Sequence, residues 1–371
     1  MSLKTLEFKI KAAFFALFHI FLKKARPGFS RLDRERLNKI LILRPDRIGD
    51  SVCSLPLIDR IKKDFPDLKL AVLASPKNVG IMSRDPRFDK IYLYRRHIFR
   101  DIATVMKIRR ERYDAVVDLL ADDSVTTLFL SQLTVGDKPR IGVGKKRYAR
   151  YYDYNYDPGP DCPEHTIDIN LKLIEAFGIV DTHPDGYAPP YIDRAARDKA
   201  DRFYRELAAD GKTRLKVGIN LSMRGPNRDW GHDNFKGLVD RLLKDFEPCR
   251  IIIITAPPDR RKGDRLQDEF GSAVDQVPPD CNLTEISAIL AGLDILISPD
   301  TSLVHIARSF EVPVVGLYPE YRQVYRQWRP YGQDDGLVLS YGGDNVFSIT
   351  VDQVYEAFLG LVRKCRAATE A

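Results

Sequence analysis

Short, unbroken runs of β-branched and other apolar residues alternate with amphipathic stretches of helical period, and they do so in two separate series. In the first series the runs are 39–44 (KILILR), 69–75 (KLAVLAS), 90–95 (KIYLYR), 115–120 (AVVDLL) and 139–144 (PRIGVG), with helical periodicity at 50–64 and 99–112. A run that does not alternate apolar with polar offers no face to water, so it belongs in a sheet covered on both sides. Strand–helix–strand order at this spacing predicts right-handed βαβ units and a parallel sheet. A Tyr- and Pro-rich stretch at 147–163 and a Pro-rich stretch without period at 181–193 follow, and the second is the predicted linker.

The same grammar then restarts. Strands are predicted at 216–222, 250–257, 273–278, 294–300 and 312–318, and helices at 232–246, 259–270, 283–293, 301–310 and 350–368. The predicted fold class is α/β, with two Rossmann-like, doubly wound parallel-sheet domains. The predicted organisation is a leader over 1–37, a first domain over 38–185, a second over 186–349, and a last helix within 350–371 available to pack back on the first domain. Two such domains in series predict a ligand in the cleft between them, facing the carboxyl ends of the strands.

Charge narrows the partners. The net charge is +7, yet residues 1–26 carry Lys4, Lys9, Lys11, Lys23, Lys24 and Arg26 against Glu7 alone. The body is therefore nearly neutral, which argues against a broad basic face for nucleic acid. The apolar run 12–22 is too short to span a bilayer, which takes about 20 residues. Basic residues follow it and no small-x-small cleavage site does, which argues against a secretory signal. Leu3, Leu6, Ile10, Phe14, Leu17 and Phe21 recur at helical spacing. The leader reads as an interfacial helix that holds the protein peripherally on the inner face of the cytoplasmic membrane. A helix packed on the protein itself is the other reading. The five cysteines form no CxxC pair, as suits reduced thiols in a cytoplasm. No metal site is predicted, because no histidines stand at ligand spacing. No dinucleotide fingerprint is present: the GVG at 142–144 leads into Lys-Lys-Arg-Tyr, not into an apolar helix.

Candidate chemistry sits at the strand ends. The first strand runs into RPDRIGDSV (44–52), where Asp50 is either a plain helix cap or a base that accepts a hydroxyl proton. After the first strand of the second series, Arg224 and Arg228 stand in a Gly/Pro loop as partners for a diphosphate, and Trp230 reads as a packing anchor. Asp259, after 250–257, is either a ligand for a ribose diol or a helix cap. The strongest pattern is SPDTSLVHIA (298–307): Asp300, Thr301 and Ser302 open a helix whose first amides form an anion site, with His305 one turn on.

These residues carry a resemblance. RPDRIGDSVCSLPLIDRIKKDFPD and SPDTSLVHIARSFEVPVVGLY resemble the two signatures of the heptosyltransferases, family 9 of the glycosyltransferases, in order and spacing over about residues 38–365. The resemblance implies a GT-B fold, an ADP-heptose donor held mainly by the second domain, and no required cofactor. It implies transfer with inversion to a hydroxyl of the lipopolysaccharide inner core or a related glycan. By position it gives Asp50 the part of the catalytic carboxylate, Arg228 that of the diphosphate cation, and Asp259 that of the ribose contact. Asp300, Thr301 and Ser302 match the family's D-T-G turn, and His305 its following histidine. The chain departs from the family where Ser302 replaces Gly, where Asn220-Leu221-Ser222 replaces H-P-G, and where Tyr318-Pro319-Glu320 replaces G-P-T. These departures bear on the donor's sugar and base. Alternatives sharing the fold are transfer from another nucleotide sugar, a nucleotide-sugar epimerase, and a non-catalytic nucleotide-sugar-binding protein.

Overall fold

A computed structural model describes residues 22–370 except 122, 181–185, 210, 212–214, 247–248 and 321–323. The leader helix up to residue 21, and residues 181–185 of the predicted linker, lie outside the described residues. The chain divides into two compact units, one of residues 1–162 and 167–184, the other of residues 163–166 and 185–371.

In the first unit β1 (Lys39–Arg44), β2 (Lys69–Ala74), β3 (Lys90–Leu93), β4 (Ala115–Asp118), β5 (Arg140–Val143) and β6 (Tyr154–Tyr156) form one parallel sheet in the order β3-β2-β1-β4-β5-β6. In the second unit β7 (Leu215–Asn220), β8 (Cys249–Ile254), β9 (Val274–Gln276), β10 (Ile295–Pro299), β11 (Val314–Tyr318) and β12 (Leu337–Leu339) form another, in the order β12-β11-β10-β7-β8-β9. Both are doubly wound, and each reverses its winding once, between β1 and β4 in the first and between β7 and β10 in the second. The chain leaves the carboxyl ends of those paired strands in opposite directions, which opens a crevice there. Two doubly wound parallel-sheet units in series are the pattern of the GT-B fold that the resemblance implies.

Ile40 to Leu43 and Ile251 to Ile254 are fully buried, as unbroken apolar runs require in a sheet covered by helices on both faces. The predicted helix at 50–64 is instead two, Ile48–Val52 and Leu55–Asp64. Pro56 causes the break: it has no N–H to give and its ring crowds the preceding turn, so it belongs in a first turn. Helices at Val125–Val135 and Arg194–Leu207, and strands β6 and β12, lie outside the predicted elements. The last helix, Val351–Glu370, buries Val354, Tyr355, Phe358, Leu361 and Val362 in the core of the second unit. No helix among the described residues is long and apolar enough to cross a membrane.

Candidate functional site

In the first unit the site is built around a buried cation at the end of β1. Arg44 is 2 % exposed. Its Nε and Nη2 donate to the carbonyl of Asp50 at 3.0 and 2.6 Å, and its Nη1 donates to the carbonyl of Leu119 just past β4. The guanidinium thus ties together the two strands at which the winding reverses. Two carboxylates share it, Asp46 Oδ2 at 3.3 Å and Asp50 Oδ1 at 3.7 Å. Burial pushes the Asp46 carboxyl up to about 6; Arg44 pulls it down, and the charge of Asp50 adds to the rise. Asp46 Oδ1 is buried with no hydrogen-bond partner among the described residues. Asp50 is the third residue of its helix and not the cap. Arg47 holds the cap position and makes no side-chain capping bond.

Neighbouring groups fix this turn. Buried Asn78 donates to the Arg44 carbonyl at 2.7 Å and to Ser51 Oγ at 2.8 Å, and accepts from the Ser75 amide at 2.8 Å. At the end of β4, buried Asp118 accepts from Tyr152 Oη at 2.6 Å and pairs with buried Lys145 at 3.0 Å. A buried pair of this kind stands only when its other hydrogen bonds are met. Here the amide of Leu120 donates to Asp118 Oδ1 at 3.2 Å, and Lys145 Nζ donates to the Leu120 carbonyl. Arg44, Asp46, Asn78, Asp118 and Lys145 were not among the predicted site residues. The signal for them was a charged or amide side chain within, or a few residues past, the end of an apolar run.

In the second unit the corresponding strand ends meet at Asn220. Fully buried, it donates to Ser298 Oγ at 2.9 Å and Thr301 Oγ1 at 3.0 Å, and accepts from the Ser222 amide at 3.0 Å. This side chain, where the family has H-P-G, binds the end of β7 to the end of β10. Thr301 is the N-cap of the helix Ser302–Ser309 but makes no side-chain capping bond, because its hydroxyl faces Asn220 and Ser298. No side chain of the cap therefore occupies the first-turn amides, of which that of Val304 donates to the Thr301 carbonyl at 3.2 Å. Arg228 reaches the same turn: its Nη1 lies 2.8 Å from Asp300 Oδ2 and 3.3 Å from the Asp300 carbonyl. Asp300, Thr301, Ser302 and Arg228 thus stand together, while Arg224 is exposed in the loop.

His305 is buried on the same helix, its ring 5.7 Å from Trp328 and 6.1 Å from His165. Nε2 of His165 lies 3.0 Å from the Arg329 carbonyl and donates to it as a neutral ring. Burial first, and His305 second, lower the pKa of His165 well below its ordinary value. Asp259 ends the turn after β8 and holds the N-cap position of the helix Arg260–Phe270, but its side chain makes no capping bond. Its Oδ1 lies 3.5 Å from Lys262 Nζ, which also donates to Asp229 at 2.9 Å. Burial disfavours the charge on Lys262, but its bonds to the two aspartates outweigh this and raise its pKa. Trp230 is a packing anchor, buried edge-on against Phe235 with Nε1 donating to the Ile349 carbonyl at 2.8 Å. Tyr318, at the third departure from the family pattern, is buried with Oη donating to the Trp328 carbonyl at 2.9 Å. Among the described residues no group of three or more His, Cys, Asp or Glu is placed to hold a metal ion.

Comparison with known proteins follows the same lines. The profile of glycosyltransferase family 9 (heptosyltransferase) matches residues 102–346. The chain is 23% identical over 305 residues to lipopolysaccharide heptosyltransferase 3 of Escherichia coli K12, covering 77% of this chain and 83% of that one. It superposes on the family 9 glycosyl transferase of Veillonella parvula with a TM-score of 0.75 at 19% identity, over 90% of this chain and 99% of that one. It superposes on the E. coli heptosyltransferase WaaC, solved with ADP, with a TM-score of 0.68 at 17% identity, over 88% of this chain and 98% of that one. The chain belongs to glycosyltransferase family 9, the heptosyltransferases, and is a glycosyltransferase.

Proposed function

We propose that the chain transfers a heptose from ADP-heptose, with inversion at the anomeric carbon, to a hydroxyl of the lipopolysaccharide inner core or a related glycan. The observation that carries the reading is the cluster of Arg228, Asp300, Thr301 and Ser302 at the point where the second sheet reverses its winding. A guanidinium beside the amide-rich start of a helix suits a leaving diphosphate, whose charge grows as its bond breaks. The likeness to WaaC, which was solved with ADP, supports adenosine as the nucleoside.

In this mechanism the first unit supplies the base. Asp50 accepts the proton of the acceptor hydroxyl as that oxygen attacks the anomeric carbon on the face opposite the diphosphate. Arg44 holds the Asp50 backbone, so the carboxylate meets the hydroxyl without reorganising. Arg228 and the amides after Thr301 take the departing ADP, with His305 behind them as a supporting ring. Asp259 accepts from the ribose diol, which requires Lys262 to yield one of its two carboxylate partners.

The direct test is a thermal-shift panel of ADP-, UDP- and GDP-sugars, followed by assignment of the product's anomeric configuration by NMR. The reading expects selective stabilisation by ADP-heptose and an inverted product. Selective stabilisation by a uridine or guanosine sugar overturns the donor, and a retained configuration overturns the mechanism.

A further inference from the structure

Among the described residues nine large hydrophobic side chains stand exposed, and four of them, Ile98, Ile102, Met106 and Leu133, line one groove of about 850 Å³ in the first unit. Phe99, 77 % exposed, stands beside Ile98. Scattered exposed hydrophobics are ordinary, whereas a cluster of this kind marks a binding surface. The groove runs between the helices Ile98–Glu111 and Val125–Val135. Each helix offers it a stripe at steps of four residues, Ile98, Ile102 and Met106 on one side, Val125, Phe129 and Leu133 on the other. Such stripes make a linear trough about 12 Å long at about 1.5 Å per residue, of the volume usual for a ligand site.

Charge and position limit what the trough can hold. Pro45, between Arg44 and Asp46, forms part of its wall, so the groove reaches the turn that carries Asp46 and Asp50. Arg96 and Arg109 line it, and Arg95 and Arg100 are exposed alongside. Its single acid, Asp101, is buried and committed: it accepts from the amides of Arg95 and His97 at 2.8 and 2.7 Å. Those two bonds hold Arg96 between them at φ 57°, a left-handed conformation that costs a residue with a side chain on the order of 1 kcal/mol or more. The strained turn sets the Arg96 guanidinium at a groove whose lining is mainly apolar.

We propose that this groove holds the hydrocarbon chain of an anionic lipid, the lipid-borne end of the acceptor, with Arg96 pairing with the anionic group. The proposal rests on the reading of the chain as a transferase acting on a lipid-linked glycan, and it adds that the acceptor is recognised by its tail. An alkyl chain asks for no hydrogen bonds from the trough, and its head group is met by cations where the groove opens.

The test is calorimetric titration of the full chain with monomeric monododecyl phosphate, with inorganic phosphate as control, on the parent and on Ile102→Glu, Leu133→Gln and Arg96→Gly. Glycine relaxes the left-handed backbone at position 96, so loss of binding there reports the guanidinium and not the fold. Dodecyl phosphate is expected to bind while phosphate alone does not. Ile102→Glu should weaken it at least about tenfold, because a charge enters an apolar trough, and Arg96→Gly about three- to tenfold. Thermal stabilisation by ADP should be unchanged in all three. Equal binding by the parent and Ile102→Glu overturns the proposal. So does capture of phosphatidylglycerol vesicles without any binding of the monomer, which would make this a flat membrane-contact face. Tighter binding after deletion of residues 1–21 would give the groove to the leader instead. A protein that binds dodecyl phosphate but does not respond to ADP keeps this site and loses the donor reading, so the two fail separately.

Discussion

Arg228 and Asp300 form an ion pair of 2.8 Å across the carboxyl ends of β7 and β10, at the turn that opens the helix Ser302–Ser309. The pair holds the guanidinium at the helix start, so under the proposed reading a diphosphate gains it without ordering a long side chain. Removing it should be expensive for binding. Arg228→Ala is expected to weaken ADP by about 10- to 100-fold, the value of one or two charge-assisted hydrogen bonds. Isothermal titration with ADP checks this, and unchanged affinity would exclude Arg228 from the donor site.

Asp50 should separate chemistry from binding. Its carboxylate takes no part in capping its helix, and Arg44 grips its backbone, so Asp50→Asn leaves the turn in place. Turnover is expected to fall by about 10²- to 10⁴-fold with ADP affinity little changed. Steady-state kinetics beside titration decide the matter, and equal losses in both would remove Asp50 from the role of base.

Two buried groups give stability opposite slopes against pH. The folded pKa of Asp46 is about 6, above its ordinary 3.8. Between those values the folded state keeps a proton that the unfolded chain has lost, so stability falls as pH rises through this window. His165 is shifted below its ordinary 6.5. The unfolded chain therefore takes up a proton first as pH falls below about 6.5, and stability is lost in that direction. Urea unfolding from pH 4 to 8 should show Asp46→Asn abolishing the first slope and His165→Gln the second. A parent curve that neither variant alters would contradict both.

Asn220 should matter more than its place outside the predicted site suggests. Asn220→Ala leaves the Ser222 amide without its acceptor and Ser298 and Thr301 without their shared donor. The expected cost is about 2–3 kcal/mol in the second unit, together with weaker ADP binding as the Thr301 turn loosens. Denaturant midpoints and ADP titration on one preparation measure both effects.

Residues 23–25 belong to the first unit. The Lys23 carbonyl accepts from Gln132 Nε2 at 2.9 Å, the Lys24 carbonyl from Arg140 Nη2 at 3.2 Å, and the Ala25 amide donates to the Arg150 carbonyl at 2.8 Å. Removal of residues 1–21 alone should therefore keep the fold. With the leader read as an interfacial helix, that truncation is expected to lower binding to anionic vesicles while leaving ADP stabilisation intact. Unchanged co-sedimentation would rule the anchor out.

Most of both sheets was legible because the central strands are buried on both faces and read as near-continuous apolar runs, with polar residues mainly at their ends. The runs at 39–44 and 294–300 lie on β1 and β10 to within a residue or so. What escaped had weak or ambiguous pattern. Val125–Val135 is a helix whose core face carries Leu128 and Leu130 and whose groove face carries Val125, Phe129 and Leu133, so apolar residues occur on both faces and its period does not show; Ser124 starts it by accepting from the Thr127 amide at 3.3 Å. Arg194–Leu207 buries Ala196, Ala200 and Phe203, a stripe too small-sided to register as apolar. The short strands β6 and β12 take their place from the sheet edge they complete.

The sequence by itself determined two doubly wound sheets, the family, and the turns at 44–52, 220–230 and 298–305, because strand ends and helix starts are local and their residue types are constrained by backbone chemistry. Only the tertiary structure decided that Arg44 is buried between two carboxylates, that Asn220 fastens Ser298 and Thr301, and that His165 lies against His305. Each of these pairs residues from different strands or loops, in two of the three cases far apart in the chain. Which polar group meets which is set by strand order and by burial, where an unmatched donor or charge is too costly to leave alone.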